Sequence, residues 1–226
     1  MKEDLLRTLK SAYGESIQIK TSISTGGGCI NQTQVLSLSN GEKVFLKYND
    51  HPPENFFAAE VKGLQLLGET KDGPRVPRPL GIDPGSKPRF LILEYIEPSS
   101  TRGRFHIHFA RALAAVHRVT QDRYGLDHDN FIGRTIQKNT LESDGVTFFR
   151  DHRIRFQQEL ARKTRGLPRD IDRRLDRFTE GIGNLLDLTG EKPALLHGDL
   201  WSGNYFAGPN QAPCIFDPAT YFGPRE

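Results

Sequence analysis

The chain has 226 residues, 36% of them hydrophobic and 26% charged, with a net charge of +3. That is enough for one large or two small domains, in the balance of a soluble globular protein, and the longest apolar runs are too short to span a bilayer. Its two cysteines, Cys29 and Cys214, make no disulfide framework.

The start, Met1-Lys2-Glu3-Asp4-Leu5-Leu6, carries acids where a signal or transit peptide lacks them. It predicts a cytoplasmic protein, or one in the soluble phase of an organelle after processing. Leu5, Leu6, Leu9 and Ala12 recur at helical spacing and predict a short helix ending near Gly14. Ile17, Ile19, Thr21 and Ile23 alternate as in a strand, which Gly26-Gly27-Gly28 breaks. Val35-Leu36-Ser37-Leu38 and Val44-Phe45-Leu46-Lys47 read as two further strands joined by a hairpin at Asn40-Gly41. A helix is expected over 55–67, with Phe56, Ala59 and Leu64 among its apolar positions. Pro74, Pro77 and Pro79 mark an extended connection, and Phe90-Leu91-Ile92-Leu93 is a continuous apolar strand.

Past Glu97-Pro98-Ser99-Ser100 the texture turns helical. Phe105, Phe109, Ala112, Leu113 and Val116 fit one helix face. Phe148, Phe149, Phe156 and Leu160 suggest a second helix, and Ile171, Leu175, Phe178, Ile182 and Leu185 a third. Strands followed by helices predict a two-lobed α+β chain, 1–97 and 98–226. Arginines and lysines crowd 150–177, but Glu159, Asp170, Asp172 and Asp176 interleave with them. That pattern reads as solvated helix faces with i,i+4 pairs, and no nucleic-acid motif accompanies it. Cys214, in an apolar strand, reads as a small core residue.

The segment His197-Gly198-Asp199-Leu200-Trp201-Ser202-Gly203-Asn204, followed by Ile215-Phe216-Asp217-Pro218, carries the chemistry. One carboxylate stands five residues before an amide, and a second closes a short apolar run. Phosphoryl transfer from ATP needs that set. One carboxylate accepts the proton of the attacking hydroxyl, while the amide oxygen and the other carboxylate hold magnesium on the phosphates. Asp199 is then the catalytic base and Asn204 and Asp217 the Mg2+ ligands. Leu195-Leu196 predicts a buried strand leading into the loop, and Cys214 to Phe216 the next strand, ending at Asp217. Asp and Asn are also ordinary turn residues. Here the preceding His-Gly, the following Asp-Pro, a glycine-rich loop and a strand lysine all accompany them.

The loop Gly26, Gly27, Gly28 lies between strands with no G-K-[ST] after it, so it is neither a Walker loop nor a dinucleotide fingerprint. A glycine turn between strands can be a plain turn, or can fold over ATP phosphates with its amides close to the oxygens. Lys47, at the end of the third strand, stands where a protein kinase pairs its phosphates, and Glu60 in the next helix is placed to pair with it. Backbone groups of Glu94, Tyr95 and Ile96 are suited to an adenine edge.

From about Tyr13 to Glu226 the sequence resembles the fructosamine/ketosamine-3-kinase family, in the aminoglycoside-phosphotransferase-like branch of the protein kinase fold. The carriers include Gly26 to Asn31, Phe45-Leu46-Lys47, Ala59-Glu60-Val61-Lys62-Gly63-Leu64, Asp129-Asn130-Phe131-Ile132-Gly133-Arg134-Thr135, the His197 to Asn204 block and Phe216-Asp217-Pro218-Ala219. The resemblance implies a small antiparallel-sheet N-terminal lobe and a mainly helical C-terminal lobe. It implies an ATP- and Mg2+-dependent kinase for the 3-hydroxyl of ketoamines, small molecules or glycated proteins, whose unstable 3-phosphate is shed and so begins deglycation. Trp201 then faces the sugar, the alternative being a core position. Gly198 replaces the arginine of the protein-kinase H-R-D, so control by activation-loop phosphorylation is not expected. His117 and His197 are expected to hold loops, and His106 and His108 not to bind metal.

Family members continue past the point where this chain stops, with helices completing the larger lobe; apolar surface is therefore expected to be exposed. Cys29, in the glycine loop where the family often has a cysteine, is a redox candidate that would join two copies as a homodimer, or else an inert small side chain. Two rivals stand beside the ketoamine kinase: a same-fold kinase for aminoglycosides, choline or similar alcohols, and a non-catalytic nucleotide-binding protein. No nucleic-acid or membrane partner is expected.

Overall fold

In a computed structural model, the structure describes residues 2–26, 30–85, 89–164 and 166–225. The N-terminal half runs α1 (Lys2–Tyr13), β1 (Ile19–Ser24), β2 (Gln32–Leu38), β3 (Lys43–Tyr48), α2 (Phe56–Gly68), β4 (Pro79–Ile82) and β5 (Phe90–Glu94). Its strands form one five-stranded sheet in the order β1-β2-β3-β5-β4, antiparallel throughout. The β2–β3 turn sits at Asn40-Gly41 as expected. Gly41 has φ 90°, a conformation glycine takes without steric cost. The Asn40 side-chain oxygen accepts from the Glu42 amide at 3.0 Å.

Leu5 and Leu9 of α1 pack with Leu36, Leu38, Val44 and Ile92 on one face of the sheet. Phe57 and Leu64 of α2 cover Leu91 and Leu93 on the other. The sheet is thus covered on both faces, which fits the continuous apolar run of β5. The alternation at 17–23 is a true strand signal but not a burial signal. Ile17 is buried before the strand begins, while Ile23 is 62% exposed. β1 is an edge strand, and every residue in it faces solvent.

The C-terminal half holds α3 (Phe105–Val116), β6 (Asn130–Ile132), β7 (Thr135–Gln137), α4 (Gly145–Phe148), α5 (Phe156–Thr164), α6 (Arg169–Gly181), β8 (Ala194–Leu196), β9 (Tyr205–Ala207), β10 (Pro213–Ile215) and β11 (Tyr221–Gly223). The short strands pair as three separate antiparallel ribbons, β6 with β7, β9 with β10, and β8 with β11. The single helix expected around 148–160 is interrupted by a π-helical stretch, Phe149–Arg155. The wider turn there shifts the buried face, so Gln158 is buried and donates to Asp172 and Asp176 on α6.

Arg155 and Asp151 form an expected i,i+4 pair. Arg162, however, reaches across to Asp172 and Asp176 and ties α5 to α6 instead of bonding along its own helix. On the predicted apolar face of α6 and beyond, Ile182 is buried, but Ile171, Phe178 and Leu185 are exposed. Among the described residues no helix is long and apolar enough to cross a membrane.

Candidate active site

Lys47 and Glu60 are both buried, from β3 and from the middle of α2. Lys47 Nζ lies 2.6 Å from Glu60 Oε1 and 2.8 Å from Asp217 Oδ1. Burial opposes the ammonium, but the two carboxylates outweigh it and hold the Lys47 pKa above the ordinary lysine value. Burial raises Glu60 against the downward pull of Lys47. The result is a fixed cation inside the sheet-rich half that points at an acid from the other half, 170 residues away in sequence.

Asp217 follows β10. It was expected to end that strand, but β10 stops at Ile215, and a strand not foreseen, β9, pairs with it. Asp217 itself has φ 55°, a left-handed conformation uncommon outside glycine. The bend takes it out of the ribbon and toward Lys47.

Asp199 sits on the loop after β8. The preceding Gly198 has φ 82°, and a Cβ there would lie 1.9 Å from the Ala219 carbonyl oxygen. Only glycine lets the loop pass that close to the segment after Asp217. His197 is buried and donates from Nε2 to the Phe216 carbonyl at 2.9 Å, while its Nδ1 accepts from the Asp199 amide at 3.3 Å. Those partners define a neutral ring. Burial pulls its pKa down to about 4, against the opposing carbonyl bond. His197 thus joins the two acid-bearing segments, as a loop-holding residue.

Asn204 donates from Nδ2 to the Asp199 carbonyl at 2.7 Å and to its carboxylate at 3.3 Å. Its backbone carbonyl accepts from Phe216 N at 3.1 Å. Burial raises the Asp199 pKa, the Asn204 bond resists this, and Asp217 adds to the rise. Because the Asn204 N–H is committed to Asp199, its side-chain oxygen is left as an acceptor. It and the Asp217 carboxylate, which border the same hollow, are hard oxygens of the kind Mg2+ takes alongside phosphate oxygens. The donor set fits that ion. Among the described residues no group of three or more His, Cys, Asp or Glu is placed to hold a metal ion.

Two hollows meet at Asp217. One, of about 230 Å³, is bordered by Lys47, Glu60, Asp199, Trp201, Asn204 and Asp217. The other, of about 250 Å³, lies between Val35, Phe45 and Leu93 on one side and Phe206 and Phe216 on the other, with Glu94, Tyr95 and Ile96 at its edge. The second is largely apolar, of the kind a ring system can fill. The Glu94 side chain turns elsewhere, pairing with Arg75 and accepting from the Arg78 amide.

Of the glycine loop, Gly26 is described and has open space around it. Gly27, Gly28 and Cys29 lie outside the described residues. The loop's flanks do reach the site: Thr25 borders the apolar hollow, and Ile30 and Asn31 the acidic one. Trp201 is 61% exposed, so the core alternative fails. Its indole lies over Gly203, where a Cβ would come within 2.4 Å of the ring. Sequence reasoning missed Asn130, Phe131 and Gly133, which wall the acidic hollow from the β6–β7 hairpin. The stretch 129–135 carries part of the family resemblance, but no residue type in it signals a role.

The family model described as fructosamine kinase matches residues 1–226. The chain is 36% identical over 229 residues to the "Protein-ribulosamine 3-kinase, chloroplastic" of Oryza sativa subsp. japonica, an alignment covering 99% of this chain and 65% of the relative. It therefore spans about two thirds of that relative's length. A crystal structure of "Putative fructosamine-3-kinase" from Haemophilus somnus 129PT superposes with a TM-score of 0.84 at 26% identity, covering 99% of this chain and 74% of that one. The ADP-bound aminoglycoside phosphotransferase APH(2'')-Ib, at 16% identity and a TM-score of 0.63 over 99% of this chain and 72% of that one, shares the fold. The fold is the two-lobed, kinase-like α+β architecture, and the chain belongs to the fructosamine kinase family.

Proposed function

We propose that this protein is an ATP-dependent ketoamine kinase that phosphorylates the 3-hydroxyl of a fructosamine or ribulosamine, free or on a glycated protein, and so initiates deglycation. The observation that carries the reading is the convergence of Lys47, Glu60 and Asp217 through contacts of 2.6 and 2.8 Å, beside Asp199 and Asn204 on the same cavity. Residues 1–97 act as the nucleotide lobe and 98–226 as the acceptor lobe, working in the cytoplasm. The adenine enters the apolar hollow, Lys47 meets the phosphates, and Asn204 and Asp217 hold Mg2+. The ion supplies charge neutralisation on the phosphates. Asp199 takes the proton of the sugar hydroxyl, and Trp201 receives the sugar's C–H face. Catalysis comes from positioning and electrostatics, since the set contains no activated nucleophile of its own.

An ADP-release assay on fructosamine, ribulosamine, an aminoglycoside and choline tests the reading. Turnover is expected only with the ketoamines; release with the aminoglycoside or choline alone would replace this substrate class. Asp199→Asn is expected to lose at least 100-fold in kcat with ATP binding retained. Asp217→Ala is expected to abolish the metal-dependent part of nucleotide binding. Near-normal turnover in Asp199→Asn would remove the assigned base.

A further inference from the structure

The β6–β7 hairpin carries two amide side chains, Asn130 and Gln137, that are buried at 4% and 3% exposure. They face each other across the ribbon, where Asn130 is the register partner of Gln137. Gln137 Nε2 donates to Asn130 Oδ1 at 2.8 Å and to the Ala219 carbonyl at 2.8 Å. Asn130 Nδ2 donates to the Thr220 carbonyl at 2.6 Å. Both acceptors lie in the segment that follows Asp217. Pairing two uncharged amides in a core contributes little net stability, because burial costs most of what the bonds return. Their arrangement therefore has to be understood through what they hold.

What they hold is a strained bend. Asp217 has φ 55°, and a non-glycine residue keeps such a backbone only where its surroundings fix it. Pro218 offers no N–H. The next anchors are Ala219 N, which donates to the His197 carbonyl at 2.9 Å, and the two carbonyls gripped by the amide pair. The Ala219 carbonyl is also the atom on which Gly198 closes, one residue before Asp199. Gln137 thus fixes an oxygen of the Asp217 segment on which the Asp199 segment closes.

The hairpin reaches the third member of the set as well. Phe131 packs on Phe56, at the start of the helix that carries Glu60, with ring centroids 5.2 Å apart. Two turns on, a Cβ at Gly63 would lie 3.0 Å from Thr220 Oγ1, so this helix and the Asp217 segment press together.

We propose that Asn130 and Gln137 are positioning residues: by gripping the Ala219 and Thr220 carbonyls they lock the Asp217 carboxylate in its metal-holding position. The inference rests on Asp217 being a Mg2+ ligand.

The single tryptophan, Trp201, borders the same cavity and gives a readout that needs no ketoamine. Its fluorescence is followed while Mg2+ is titrated into the protein with ATP, in wild type, Gln137→Met and Asn130→Ser. Circular dichroism checks that each is folded. Both variants are expected to need about tenfold more Mg2+ for half-saturation; in Gln137→Met, whose site does not border the cavity, binding of ATP in EDTA changes less than twofold. An unchanged Mg2+ requirement in either folded variant overturns the proposal. So does unfolding of both, which would make the pair a stability element only. If wild type binds MgATP but turns over no ketoamine, the substrate assignment fails while this titration still decides the positioning role. If wild type shows no Mg2+-dependent signal in fluorescence or calorimetry, the metal assignment fails and the proposal with it.

Discussion

The two walls of the cleft are built on different principles. On the sheet side, Lys47 and Glu60 are buried and bonded to each other at 2.6 Å. Regular secondary structure with a hydrophobic core on each face fixes them. On the loop side, Asp199, Asn204 and Trp201 stand on irregular backbone between very short strands, and their order comes from a few hydrogen bonds and close backbone approaches. The cation is preset by packing; the acids are preset by local geometry. Damage should therefore spread differently on the two sides. A core change on the sheet side loosens a whole layer, whereas one methyl group on the loop side displaces the chemistry.

Gly198→Ala tests that contrast most severely. The new Cβ would lie 1.9 Å from the Ala219 oxygen on a backbone at φ 82°, so both the loop and its neighbour must move. We expect a loss of about 2–3 kcal/mol in stability and at least 100-fold in kcat. Gly26→Ala is the matched control in the N-terminal half, since nothing lies within 4 Å of a Cβ there. Its stability should change by no more than about 0.5 kcal/mol. Denaturant melts of the two variants settle the comparison, and equal effects would erase it.

His197 sharpens the contrast through pH. Its folded pKa is about 4, below the ordinary value of 6.5. Between those values the unfolded chain binds a proton that the folded chain refuses, so stability falls as pH falls from about 6.5 toward 4. The full loss from this one ring is about 3 kcal/mol, reached near pH 4. Urea melts across that range should show a steeper acid decline in wild type than in His197→Asn. Parallel curves would mean that the ring is not held neutral between the Phe216 carbonyl and the Asp199 amide.

How far the sequence could be read follows the same division. The sheet side was legible because its signals are local and periodic: the Asn40-Gly41 hairpin, the apolar run at Phe90 to Leu93 and the helical spacing of Phe56, Ala59 and Leu64 all formed as expected. The Lys47–Glu60 pair followed from strand and helix position set against the protein-kinase pattern. On the loop side the motif named Asp199, Asn204 and Asp217, but not what supports them. β9 and β11 are three-residue strands without a period to detect, and the amide pair on β6–β7 binds carbonyls some 82 and 90 residues away. No window of sequence contains both partners of such a bond. The π-helical stretch at Phe149–Arg155 escaped for a related reason, since one wider turn changes which residues face inward without changing composition.

Trp201→Ala separates the two walls at their weakest point. The indole is 61% exposed and rests on Gly203, so the protein itself gains little from it. Its removal should change stability by no more than about 0.5 kcal/mol, the range for surface positions. If the exposed ring is the platform for the sugar, the loss appears in substrate binding instead. KM for the ketoamine should rise about tenfold, equivalent to about 1.4 kcal/mol, while KM for ATP stays within twofold. Phenylalanine at this position should recover much of the loss, because a flat apolar face remains, and leucine should not. A lone exposed apolar residue is ordinary on a protein surface; Trp201 is set apart because it borders the hollow that holds Asp199 and Asn204. Were Trp201→Ala to destabilise the fold by more than about 2 kcal/mol with KM unchanged, far above the surface range, the ring would be a structural prop, and the loop side would resemble the sheet side more than its exposure suggests.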